Sequence, residues 1–422
     1  MRVLMMTIGS GGDVHPFIGV GLRLAARGHE VRLATNPHFE ARIKAAGLGF
    51  EPLGTEAEFM QVLTDPRLVR QNASPKLIID ELIHKSVEPT VELTQRVVTE
   101  WKPDVIVRHH ISLGSRWVAQ RHGIPTATIV LAPAFFFSRQ DAGVYRSWER
   151  LGSPRWLAEL RLRIGKYAMR WFMDRPLNAI RRRLGFEPGR DFLFGEVKDG
   201  DVTLGLWSKH LRGPAPDDPA RSHVCGYSFF DRSPTDEQGL NELDSFVGRC
   251  EESGRPPVVF TLGTSVVQHA GDFYHIAAEA CRMLDRPAVL LVGKPENAPT
   301  GLPASIRAFP YAPFSTLLPR AAATVHHGGA GTTGQGLRSG RPTVIIPFVN
   351  DEFDNAARAE RLGTSITLGR RKLNARSIAS CLDRAIHDRE MKMRADVLGG
   401  ALRVEDGAED AAERIEAVVK LR

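Results

Sequence analysis

The stretch 324–355, TVHHGGAGTTGQGLRSGRPTVIIPFVNDEFDN, limits the folds open to this chain more than any other. A β-branched run ends at His326 and His327, a glycine-rich turn follows, Thr332 and Thr333 can begin a helix, and a second apolar run closes at Phe348. Strand, turn, helix, strand is the unit of a parallel sheet. Gly328, Gly329 and Gly331 let backbone approach a ligand, and the free N–H groups and positive dipole end of the helix suit a phosphate. His327 adds a side-chain donor. Asp351, Glu352 and Asp354 fall where the second strand ends, and ligands of open parallel sheets lie outside the carboxyl ends of strands. A diphosphate and the hydroxyls of a sugar would meet at such a place.

The rest of the chain repeats the alternation. RVLMMTI, an amphipathic stretch from Asp13 to Arg27 and HEVRLAT after Gly28 read as β-α-β. Helices around 39–46 and 76–101 are predicted next, then strand DVIVRH, helix 113–122 and strand TATIVLA. After DVTLGLW comes RGPAPDDPARS, rich in proline and charge, which reads as a linker at 212–222. SHVCGY then opens a second α/β half, with helix 236–250 and strands PPVVFTLG, AVLLVG, SIRAFPY, TVHH and TVIIPF. The expected organisation is an α/β fold of two Rossmann-like domains, 1–211 and 223–405, with a terminal helix 406–422 packing back on the first. At 422 residues the chain is long for one domain and comfortable for two.

The net charge of +7 allows an anionic partner, but no nucleic-acid module and no interleaving of aromatic with basic residues is present. Cys225, Cys250, Cys281 and Cys381 are widely spaced, which reads as free thiols rather than a zinc site or disulfide framework. No run approaches the ~18 apolar residues of a membrane span, and Met1 leads directly into a strand-like segment, so a cytoplasmic protein is expected.

The stretch 324–355 resembles the donor-binding signature of the UDP-glycosyltransferase superfamily, glycosyltransferase family 1: His-x-Gly-x-Gly at His327, then Pro-Phe-x-x-Asp ending at Asp351. The resemblance is nearly full-length and leans toward bacterial members, the rhamnosyltransferase of rhamnolipid synthesis and antibiotic glycosyltransferases among them. It implies the GT-B fold, two facing Rossmann-like domains with mostly parallel sheets. It also implies inverting transfer of a hexose or deoxyhexose from a UDP- or dTDP-linked donor to a hydroxyl of a hydrophobic small molecule or lipid; with no metal spacing among the histidines, catalysis without a metal or further cofactor is expected, by a monomer or homodimer.

The resemblance assigns roles by position. In GSGGDVHP, Asp13 matches the general base, beside Gly12 on the donor side; the bland reading is that Asp13 caps the helix. His15 either shares the base role or lines the pocket. VIVRHH puts His109 and His110 where histidine-type members carry an orienting aspartate, so no His-Asp dyad is assumed and both are read as acceptor-side lining. Phe136, within PAFFFS, is read as acceptor lining or core. On the donor side, Thr264 and Ser265 follow PPVVFTLG at the phosphates, Tyr311 stacks on the base, and backbone at Ala312 reads its edge. His327, Gly329, Ala330, Gly331 and Thr332 hold the diphosphate, and Asp351 and Glu352 the sugar.

Three readings stay open. The basic, tryptophan-bearing segment 146–184 is either a helix with a packed aromatic face and solvated basic face, or a surface meeting lipid headgroups at the inner face of the membrane. Asp199-Gly200-Asp201 spells a metal-binding Asp-x-Asp but lies away from the donor signature, and chance explains it. A GT-B nucleotide-sugar epimerase, or a non-catalytic nucleotide-sugar-binding protein, would share the layout.

Overall fold

Every interior residue of β1 (Arg2–Met6) is buried: Val3 and Met5 enter one core and Leu4 and Met6 another, so the strand is sandwiched between helical layers. The computed structural model describes residues 1–69, 75–146, 149, 151–152, 154–195, 200–231 and 237–420. Around β1 lie β2 (Glu30–Thr35), β3 (Gly49–Pro52), β4 (Val105–His109), β5 (Thr126–Val130), β6 (Val202–Gly205) and β7 (Ser222–Val224). They form one parallel sheet in the order β3-β2-β1-β4-β5-β6-β7. Helices Gly11–Ala26 and Gly407–Lys420 cover one face, and Lys85–Trp101 and Leu113–His122 the other.

A second parallel sheet holds β8 (Val258–Thr261), β9 (Ala288–Leu291), β10 (Ile306–Phe309), β11 (Ala323–His326), β12 (Thr343–Ile345) and β13 (Ser365–Thr367) in the order β10-β9-β8-β11-β12-β13. Phe260 and Val325 face a core shared with helices Phe273–Met283 and Ala375–His387. Val259 and Val289 face another, closed by helix Glu237–Glu252. In each sheet the chain winds outward in one direction, returns to the middle and winds outward in the other. The reversal falls between β1 and β4 in the first sheet and between β8 and β11 in the second, and the carboxyl ends of these pairs are where α/β proteins place ligands.

The chain divides into a unit of Met1–Val144, Glu149–Phe230 and Asp406–Arg422 and a unit of Asp231–Glu405 with Tyr145–Trp148. The stretch read as a linker, 212–222, therefore lies inside the first unit, and SHVCGY supplies β7 of the first sheet rather than opening the second. Three of its four charged residues are paired within the fold. Arg212 is buried and pairs with Asp218 and, at 3.2 Å, with Asp141, while Asp217 accepts from Ser138 Oγ at 2.6 Å.

Other boundaries move slightly. The first helix begins at Gly11, capped by Ser10, rather than at Asp13, and the strand of the glycine signature stops at Ile345 instead of Phe348. The short β3 and β13 are additions to the sequence reading. Trp148, Asp199 and Asp236 lie outside the described residues; Asp201 accepts from the Thr126 amide at 2.8 Å. Cys225, Cys250 and Cys281 are buried free thiols. Among the described residues no helix is long and apolar enough to cross a membrane, and no three His, Cys, Asp or Glu side chains gather to hold a metal ion.

Candidate active site

At the reversal point of the first sheet, the loop after β1 turns into helix Gly11–Ala26 through a reciprocal cap. Ser10 Oγ accepts from the Gly12 amide, and Asp13 Oδ2 accepts from the Ser10 amide at 2.8 Å. The capping reading of Asp13 is thus realised. It occupies one carboxylate oxygen. The other, Oδ1, lies 3.9 Å from Nε2 of His109, the last residue of β4. Gly9 makes the arrangement possible: its φ is +130°, and a Cβ there would stand 2.2 Å from Asp13 Oδ2.

His109 is almost fully buried, and burial, followed by the neighbouring His110 and Arg108, lowers its pKa well below the usual value. Its ring is therefore neutral at physiological pH. His110, lowered to about 3 by burial and then by Arg108, lies with tilted rings between His109 at 4.4 Å and Phe135 at 4.7 Å. Asp13, His109, His110 and the half-buried Phe135 thus share the carboxyl ends of β1, β4 and β5.

Two expected acceptor residues lie elsewhere. Phe136 is fully buried, packed edge-on to Trp207 at 4.8 Å; it belongs to the core, and the neighbouring Phe135 is the ring that reaches the site. His15 follows Asp13 by two helical positions and turns to the opposite side. Its Nε2 accepts from Arg42 Nη1 at 2.5 Å, its ring meets the edge of Phe230, and burial with the Arg42 charge lowers its pKa to about 3.

In the second unit, β11 delivers His327 into a slot between two glycines. A Cβ on Gly263 would stand 2.4 Å from His327 Cε1, and one on Gly329 would stand 2.4 Å from Nε2. These glycines make room for the ring as much as for a ligand. Gly263 also has a φ of +64° and follows β8, so the slot closes across the reversal point of the sheet. Burial lowers the pKa of His327 to about 4, and its Nδ1 is buried without a hydrogen-bond partner among the described residues. The imidazole is neutral and can donate one hydrogen bond.

Immediately beyond, helix Ala330–Arg338 starts at Gly329 with no side-chain cap, and a Cβ on Gly331 would meet nothing within 4 Å. The amides of Ala330, Gly331 and Thr332 thus stand at an open, electropositive helix start. Ser265, after β8, likewise makes no side-chain cap to the short turn that follows it, Val266–His269.

Asp351 begins helix Glu352–Arg361 without capping it, and burial raises its pKa to about 6. Asn355, one turn on, donates from Nδ2 to Asp351 Oδ2 and to the Gly328 carbonyl, both at 3.0 Å. Asn355 thereby joins the carboxylate to the glycine turn, a role the sequence reading missed although the i, i+4 spacing from Asp351 displays it. Glu352 turns away from the expected sugar position. Its Oε2 accepts from the amides of Phe348 and Val349 at 2.6 and 2.9 Å, closing the end of its own loop.

The half-exposed ring of Tyr311 is held by its hydroxyl on the Asp231 carbonyl, and Ala312 is fully buried. Asp231 also accepts from the Ser315 amide at 2.6 Å and from Gln335 Nε2, on the glycine-turn helix, at 3.2 Å. No sequence signal marks Asp231 for that task.

Two family models match this arrangement: the glycosyltransferase family 28 N-terminal domain over residues 3–110, and the erythromycin biosynthesis protein CIII-like C-terminal domain over residues 280–416. Across its full length the chain is 30% identical over 432 residues to the O-mycaminosyltylonolide 6-deoxyallosyltransferase of Streptomyces fradiae, covering 99% of this chain and 97% of that one. The chain belongs to the family 1/family 28 glycosyltransferases.

A sterol 3-beta-glucosyltransferase of Neurospora crassa is 27% identical over 450 residues; the match takes in 98% of this glycosyltransferase and 27% of that longer protein. Among solved structures, the glycotransferase of kitacinnamycin superposes with a TM-score of 0.76 over 99% of both chains at 21% identity, a likeness of fold. This glycosyltransferase has the GT-B fold and depends on a nucleotide-sugar donor.

Proposed function

We propose that the enzyme transfers a hexose or deoxyhexose, with inversion and without a metal ion, from a UDP- or dTDP-linked donor to a hydroxyl of a hydrophobic small molecule or lipid. The observation that carries the reading is the placement of Asp13, with one oxygen in the helix cap and the other beside a buried neutral histidine. The acceptor hydroxyl loses its proton to Asp13 as its oxygen bonds to the anomeric carbon. The bond from that carbon to the diphosphate oxygen breaks, and its electron pair leaves with the nucleoside diphosphate. His109 stabilises and positions the carboxyl as it takes the proton. Charge on the leaving diphosphate is met by the amides of Ala330, Gly331 and Thr332 and by His327, donors held in place by the fold. Asp351 accepts from the sugar hydroxyls and Tyr311 stacks on the base. Phe135 and His110 offer the acceptor an apolar wall. A deoxyallosyl transfer and a sterol glucosylation, named for two relatives, support the sugar and acceptor classes.

A mass-spectrometric screen of UDP- and dTDP-sugars against hydrophobic alcohols and phenols, in EDTA, tests the reading. Transfer that survives EDTA and falls by about 10²–10⁴ in Asp13→Asn is expected. Loss of transfer in EDTA would overturn the metal-free mechanism. A retained anomeric configuration would overturn inversion, and epimerised donor or binding without transfer would return the two competing classes.

A further inference from the structure

Residues 155–183 carry nine Lys or Arg and two Asp or Glu, a surplus of seven that equals the net charge of the whole chain, +7. The segment is helical throughout: Arg155–Met169, a widened turn Arg170–Asp174, and Arg175–Arg183. Its inner side is already satisfied, since Ala158, Met173 and Leu177 are buried and the last two join the core around Trp117. A second apolar face remains. Trp156, Leu160, Ile164, Tyr167 and Trp171 recur at intervals of four, four, three and four residues, which places them in one stripe. With Phe172 they are 40–67% exposed. The packed aromatic face of the bland sequence reading is therefore not what the fold contains.

Exposed cations border the stripe. By helical spacing Arg163 and Arg170 lie along one side and Arg175 along the other, with the Arg175 guanidinium 3.4 Å above the Trp171 ring. Large apolar and aromatic side chains flanked by arginines match a bilayer interface: rings enter the headgroup boundary while guanidinium groups stay at the phosphates. A partner protein would explain the apolar stripe; the exposed Arg163, Arg170 and Arg175 at its margins fit the phosphates of an anionic lipid surface.

We propose that helix face 156–172 docks this enzyme on an anionic lipid surface. The docking does not depend on which acceptor or donor the enzyme uses.

The test is flotation of the full chain with phosphatidylcholine vesicles, with and without roughly a third of the lipid replaced by phosphatidylglycerol. Binding is expected with the anionic vesicles only, and it is expected to fall at about 0.5 M salt, where screening shortens to a few ångströms. A combined Trp156→Ser, Ile164→Asn, Trp171→Ser variant should lose flotation while keeping its melting temperature and its turnover of a water-soluble acceptor. Arg163→Glu with Arg170→Glu should weaken binding by about fivefold or more for each charge removed. Absence of flotation, equal binding to neutral vesicles, or undiminished binding by the stripe variant would each overturn the proposal. So would a concentration-dependent dimer that the stripe variant abolishes without any vesicle binding, which would make the face a contact between copies. Loss of soluble-acceptor turnover with vesicle binding intact would instead assign the stripe to the acceptor site and equally overturn it.

Discussion

Asp13 caps its helix and, in the proposed function, is also the general base, and substitutions can separate the two. Asp13→Asn keeps an oxygen to accept from the Ser10 amide and is expected to melt near the parent temperature while losing transfer. Asp13→Ala loses the cap as well, and thermal melting should show an added cost of about 1 kcal/mol. Asp351 gives a second test. In the proposed role its carboxyl, raised to about 6 by burial, accepts from sugar hydroxyls most strongly when ionised. Donor affinity should therefore fall as pH drops through 6, approaching about tenfold per unit below it, and calorimetric titration should find that step absent in Asp351→Asn. The glycine turn and the residues around it were legible because strand end, turn and helix start are consecutive in the chain. His327, Gly331 and Asp351 could be named from one stretch. The pairing of Asp13 with His109 was not, because ninety-six positions separate them and only the adjacency of β1 and β4 brings them together. Glu352 shows the limit of matching by position: the residue stands where expected, but two backbone amides turn its carboxylate inward.

Elements decide which of two adjacent side chains serves a site. In the turn after β5 (Pro133–Phe136), Phe136 packs on Trp207 while Phe135 faces His110, a difference that composition cannot express because all three residues of the Phe135–Phe137 run are the same. Phe136→Ala is expected to cost about 3–5 kcal/mol in chemical denaturation by opening a cavity. Phe135→Ala should leave stability within about 1 kcal/mol and raise the acceptor KM instead, a split that steady-state kinetics can read. The misread linker has the same origin. Proline and charge in 212–222 look solvated when read along the chain, yet Arg212 is buried and its partners Asp141 and Asp218 come from both sides of it in sequence. Strands with apolar runs and amphipathic helices were recovered because the hydrophobic pattern records burial; β3 and β13 were passed over because Phe50 and Ile366 are their only large apolar side chains.

The whole molecule is two sheets of one winding scheme joined in a single chain, the first completed by the chain's return at Asp406. Helix Gly407–Lys420 lays Ala411, Ala412 and Ile415 against the core under β1, and its Glu409 and Glu416 hold Arg27. Ile415→Ala is expected to destabilise the first unit by about 2–5 kcal/mol, seen as an earlier transition in urea, although the residue is far in sequence from the strands it covers. This return path governs how relatives can be recombined. A second unit borrowed from another glycosyltransferase and joined at one seam would bring the last helix from the wrong parent, to meet a core it was never shaped for. A chimera needs two seams, near Phe230 and near Glu405, so that the foreign half enters as an insert and the host keeps its own closing helix.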